Sequence, residues 1–148
     1  MKAIKYILLL TPMLFSFAFS TAQNNIEKTL IKSFNLEGND FVELALDGKV
    51  EVKEWSNPLM RVHVTIGIET GSDAMLKSLV TAGRYNLKST DTAEGVVIDS
   101  PGLARTITVR GVELKENISY VVFKPEDVTL RLKNEASSNK ADAKNSNL

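Results

Sequence analysis

Between Met60 and Ile68 apolar and polar residues alternate without a break. Met60, Val62, Val64, Ile66 and Ile68 fall on one parity, with Arg61, His63 and Thr65 between them and Glu69 beyond. A period of two puts every second side chain on one face of an extended chain, whereas a helix would scatter the same residues around its axis. The pattern recurs at Phe34 and Leu36, at Val42, Leu44 and Leu46, and at Val50 and Val52. Further strands are expected over residues 84–89, 96–100, 105–114, 118–124 and 128–133. One stretch breaks the period. Met75, Leu76, Leu79 and Val80 recur at helical spacing, Ser72 or Asp73 can cap the start, and Gly83 stands where a left-handed cap ends a helix. The chain therefore reads as all-β with one short helix, its sheets mostly antiparallel and packed as a sandwich. A short β-solenoid is the alternative.

Parity also constrains pairing, because residues opposite one another in an antiparallel pair share a face. Setting Val52 opposite Val62 places Val50 opposite Val64 and leaves residues 55–59 as a five-residue loop, a self-consistent hairpin. A two-residue turn at Asp47-Gly48 would instead set Leu46 against Lys49 and Leu44 against Glu51. A three-residue loop there, or an arc to a different sheet, restores agreement. Ile107 and Val109 lie on one parity and Val112 and Leu114 on the other, which a β-bulge at Gly111 would reconcile. Val121, Val122 and Phe123 are apolar on both faces, as in a central strand.

The two ends of the chain read differently. Lys2 and Lys5 precede an apolar run over residues 7–19, and Ser20-Thr21-Ala22 follows with small residues where a signal peptidase reads. This is the pattern of a secretory signal peptide over residues 1–22, cleaved before Gln23. A run of about 13 residues is short of the roughly 20 that span a bilayer, so an uncleaved anchor is the lesser reading. Residues 23–30 read as a polar lead-in with a possible helical turn, and residues 134–148 as a disordered polar tail. The organisation expected is thus a signal peptide at 1–22, a β-rich domain over 23–133 and a tail at 134–148. The product is exported, periplasmic or extracellular, with no transmembrane helix in the mature chain.

Composition narrows the chemistry. The precursor is neutral, with 18 basic and 18 acidic residues. Removing Lys2 and Lys5 leaves 16 against 18, a net charge of 16 − 18 = −2, which argues against nucleic-acid binding by phosphate neutralisation. Without cysteine there is no disulfide, iron–sulfur or cysteine-nucleophile chemistry, and no residue for lipoprotein acylation. The single histidine, His63, reads as a solvent-exposed strand residue. Asp91, Glu94 and Asp99 read as a solvated turn, since their spacing fits no calcium loop. Arg61, Arg84, Arg105 and Arg110 make no basic stripe. No catalytic, cofactor-binding or metal-ligating residue is assigned, and no cofactor is expected. Trp55, beside Pro58, is the one candidate binding residue: an exposed aromatic for sugar or protein, or a cover over one end of the core.

Gly48-Lys49-Val50-Glu51-Val52-Lys53-Glu54-Trp55 resembles the G-x-V-x-V-x-x-W signature of adhesin-labelled families of unknown function, among them the auto-transporter adhesin head domains. Residues 61–65 and 73–82 match the strand and short helix that follow in those families. Residues 83–87 and 96–101 resemble small exported Bacteroidetes proteins of the same layout. The resemblance implies an all-β sandwich or short solenoid in the envelope or outside the cell, and brings no catalytic residues with it. The expected function is a non-enzymatic cell-envelope or adhesion-type binding module, its partner an envelope protein or glycan. A structural or assembly accessory of the envelope is the alternative, and a small hydrolase the third reading.

Overall fold

The computed structural model describes residues 26–133; the leader expected at 1–22 and the tail expected at 134–148 lie outside them. In chain order the elements are β1 (Ile26–Phe34), β2 (Phe41–Ala45), β3 (Lys49–Trp55), β4 (Met60–Ile68), α1 (Asp73–Thr81), β5 (Lys88–Thr92) and β6 (Gly95–Asp99). A 3-10 turn at Pro101–Ala104 follows, then β7 (Thr108–Val109), β8 (Val112–Glu113), β9 (Glu116–Pro125) and β10 (Thr129–Leu132).

Two four-stranded sheets form, in the orders β1-β4-β9-β3 and β10-β2-β6-β5. Their inward residues share one core, with Val42, Leu44 and Ile98 from the second sheet meeting Val62, Ile66, Tyr120 and Val122 from the first. This is the sheet-packed, all-β arrangement the alternation predicts. Its ladders are mixed: β1–β4, β4–β9, β5–β6 and β7–β8 run antiparallel, while β10–β2, β2–β6 and β3–β9 run parallel. The inward parity of β4 is buried throughout, from Met60 to Ile68.

The expected hairpin between β3 and β4 does not exist. β9 lies between them, so that Val52 and Val62 both face Val122 from opposite sides. Parity allowed this, because a third strand in register keeps both valines on the same face. The loop after Trp55 therefore crosses two strand spacings, roughly 10 Å, past the end of β9 at Pro125. The chain reaches that position because it keeps changing sheets. β1 to β2, β2 to β3, β4 to β5, β6 to β9 and β9 to β10 all cross from one sheet to the other. At Asp47-Gly48 the crossing is the arc that parity asked for. Gly48, at φ +134°, passes so close to β9 that a Cβ would lie 2.4 Å from the Ile118 carbonyl oxygen.

Three further boundaries shift for local reasons. Residues 26–30 belong to β1 and pair with β4, where a polar lead-in with a helical turn was expected. No bulge forms at Gly111. Arg110 and Gly111, at φ 53° and 82°, make a tight two-residue turn between β7 and β8, and that turn accounts for the change of parity. The strand expected at 84–89 starts at Lys88, because the residues before it close the helix. The Gly83 and Arg84 N–H groups donate to the Val80 and Leu79 carbonyls, a Schellman pair. At the other end, Ser72 caps α1 by accepting from the Met75 N–H at 3.2 Å. Leu76 is buried and α1 lies nearest β1.

Candidate functional site

The parallel and antiparallel ladders place three loops at one end of the sandwich: residues 35–40, 56–59 and 126–128. They surround an open groove of about 540 Å³ with Trp55 in its wall. Trp55 is half-buried and held on several sides. Its indole N–H donates to the Leu59 carbonyl at 3.0 Å, tying the two ends of the crossing loop together. The Phe123 ring packs beside it, centroids 5.5 Å apart, and the Arg61 guanidinium sits 4.7 Å from the Trp55 ring centroid. Trp55 keeps part of its ring on an open groove and fixes a loop; it is not among the side chains packed against the core, so the expected cover over one end of the core is not what it forms.

The facing loop is shaped by a turn with Glu37 and Gly38 both at positive φ, closed by the Asn39 N–H donating to the Leu36 carbonyl at 2.8 Å. Asn35 accepts from the Glu37 N–H at 3.2 Å, and Asn57 accepts from the Leu59 N–H at 2.9 Å. Glu37, Asp40, Glu126 and Asp127 ring the groove with carboxylates, and among the described residues no lysine or arginine lines it.

From this end the aromatic patch runs onto the outer face of the first sheet. There His63 is half-buried rather than solvent-exposed. Phe123 leans on its ring at a centroid distance of 5.0 Å, and its Nε2 is shut from solvent with no hydrogen-bond partner among the described residues. The correction follows from the inserted strand, since β9 brings Phe123 and Val121 alongside β4 on the face that was read as polar. Ile31, on the neighbouring β1 and opposite His63, stays 62% exposed.

At the opposite end lies a second open cavity, of about 660 Å³, with Arg84 and Glu116 among its lining residues. Here the buried pair Arg84 and Glu116 is fully engaged. The two side chains are only 8% and 9% exposed. Arg84 Nε donates to Glu116 Oε1 at 2.7 Å, its Nη2 donates to Oε2, and its Nη1 donates to the carbonyls of Gly102 and Arg105 at 3.1 and 2.8 Å. Tyr85 Oη donates to Glu116 Oε1 at 2.6 Å. Burial alone would push the Glu116 carboxyl up, but the bonds from Arg84 and Tyr85 outweigh it and hold it below the ordinary carboxylate range. Burial, then the Glu116 charge, pushes the Tyr85 phenol well up. Nearby, Tyr120 has a buried hydroxyl without a partner among the described residues; burial and the Asp47 charge push it up to about 12. This network joins the end of α1, the 3-10 turn and the start of β9.

The remaining candidates separate. Asp91 lies on β5 and Asp99 on β6, while Glu94, in the turn between them, approaches Arg131 at 3.7 Å. Arg131 also pairs with Glu43 and lies over Phe41. Among the described residues no three His, Asp or Glu side chains gather into a group that could hold a metal ion. None of their helices is long and apolar enough to cross a membrane. Trp55 was legible in the sequence as an aromatic beside a Pro-containing loop. Phe123, Arg61 and the asparagines of the groove were not, because only strand order brings residues 35, 57, 61 and 123 to one end.

No family model and no curated protein matches the chain. A solved structure from Clostridium sporogenes, described as a "putative cell adhesion protein", aligns with a TM-score of 0.40 at 14% identity over 72% of this chain. The alignment takes in 45% of that protein, so the chain spans less than half its length.

Proposed function

We propose that this chain is a non-enzymatic, adhesion-type binding module, exported to the cell envelope, that works through the Trp55 end of the sandwich. The observation that carries the reading is the groove itself: a tryptophan locked in place by Leu59, Phe123 and Arg61 in the wall of an open cavity of about 540 Å³. That size falls in the range of about 300–1,000 Å³ typical of small-ligand sites. Holding an aromatic rigid before contact lowers the ordering cost of binding, which is why such residues dominate recognition surfaces. The non-catalytic part of the reading is supported by the position of His63. It stacks against Phe123 and does not line the groove.

Assembly through a sheet edge is the weaker reading. The edge strand β3 presents Lys49, Glu51, Lys53 and Glu54, and β1 carries Lys28 and Lys32; edge charges of this kind discourage strand addition. The purified protein, screened against arrays of envelope glycans and solubilised envelope proteins, is expected to show saturable binding that Trp55→Ala removes. Turnover of a substrate, with no partner found and no effect of Trp55→Ala, would sink the proposal.

A further inference from the structure

The polar groups around the Trp55 groove are partly engaged, and what they leave free has a definite character. Asn35 and Asn57 use their carbonyl oxygens to accept backbone N–H groups, so their amide N–H groups remain as donors. Asn39 does the reverse, donating Nδ2 to the Leu36 carbonyl at 2.8 Å and keeping its oxygen as an acceptor. Asp40 and Asp127 are exposed acceptors that form no ion pair among the described residues. Trp55 has already placed its N–H, so what it offers is ring surface.

Free amide donors, exposed carboxylate acceptors and an aromatic wall, with Arg61 on the Trp55 ring as a nearby cation, match one ligand class. A pyranose ring has hydroxyls that both donate and accept, and a C–H face that the negative face of an indole attracts. An apolar partner would strip water from these amides and carboxylates and return no hydrogen bonds. An acidic sugar or phosphate would meet the carboxylates of Glu37, Asp40, Glu126 and Asp127, which outnumber the one guanidinium of Arg61 beside Trp55. We infer that the groove binds a neutral glycan, one sugar ring against Trp55 and its hydroxyls bonded by Asn35, Asn57, Asp40 and Asp127. The inference rests on the reading that this end is the recognition surface.

Trp55 is the sole tryptophan of the sequence, so its fluorescence reports the site directly. The purified protein is titrated with cellohexaose, laminarihexaose and xylohexaose, with polygalacturonate as the anionic arm and poly-lysine as the basic arm. Calorimetry follows each titration. At least one neutral hexaose is expected to change the emission saturably. Asn35→Ala is expected to weaken that binding about tenfold, the worth of one lost hydrogen bond, and Lys115→Ala at the far end to leave it unchanged. Trp55→Phe is expected to weaken it at least as much by calorimetry. Should that variant fail to fold by circular dichroism, Asn35→Ala, an exposed position, decides alone. Binding of polygalacturonate or poly-lysine in place of the hexaoses overturns the neutral-glycan inference. So does hexaose binding that Asn35→Ala leaves intact. Envelope proteins captured in a Trp55-dependent way, with every glycan silent, overturn the inference while the binding-module reading stands. Silence in every arm takes down both.

Discussion

The two ends of the sandwich handle polar groups in opposite ways. At one, Arg84, Tyr85 and Glu116 are buried and close every strong bond among themselves and the backbone of residues 102 and 105. At the other, carboxylates stand exposed without ion pairs among the described residues, and asparagines use one side of the amide and leave the other open. A buried charge without its partner is costly, so the closed network at Arg84, Tyr85 and Glu116 contributes to the framework. Exposed groups with unused capacity cost the fold little and are available to something else. The difference teaches where change should hurt the fold and where it should hurt only recognition.

The sharpest way to break this contrast is Arg84→Ala. It leaves the Glu116 carboxylate buried and unpaired, and is expected to cost about 3–5 kcal/mol in denaturant unfolding. The same pair governs acid stability. Because Glu116 is held below its ordinary value near 4.5, its stabilisation is complete above that pH and is lost as pH falls through the folded value. Stability measured from pH 6 down to pH 2 should fall below about 4.5 in the native protein, and Glu116→Gln should flatten that limb. Tyr85→Phe removes one bond to a charged acceptor and is expected to cost about 1.5–3 kcal/mol. Tyr120→Phe runs the other way. It deletes a buried hydroxyl with no partner among the described residues, so a gain of about 1 kcal/mol is expected, together with a weaker loss of stability above pH 10. The smallest effect belongs to the open end: Asp40→Asn or Asp127→Asn should move unfolding by no more than about 0.5 kcal/mol. A large effect there, or a negligible one for Arg84→Ala, would erase the distinction.

Local rules read well in this chain. The cap at Ser72, the glycine closing α1, the buried parity of β4 and the central place of β9 all follow from residues within a few positions of each other. What did not read was adjacency between distant segments. Val52 and Val62 satisfied parity as a hairpin and again as the two flanks of Val122, and sequence spacing alone favours the nearer solution. Arg84 and Glu116 are 32 positions apart, and neither has a flanking pattern that marks it as buried. The groove suffers the same way. Trp55 could be singled out as the one tryptophan of the sequence, beside a Pro-containing loop, whereas Asn35 and Asn57 look like ordinary turn residues until the sheets bring their loops together.

The position of β9 also sets an order of events. Every ladder of the first sheet except β1–β4 needs this strand, and β10 joins the second sheet later still. The first sheet cannot be completed until most of the polypeptide has been synthesised. Contacts of such long sequence separation slow folding, because loop closure must precede the gain from packing. A nascent chain wired in this way can pair β1 with β4 and β2 with β6 early, but it closes its first sheet only when its last quarter is available.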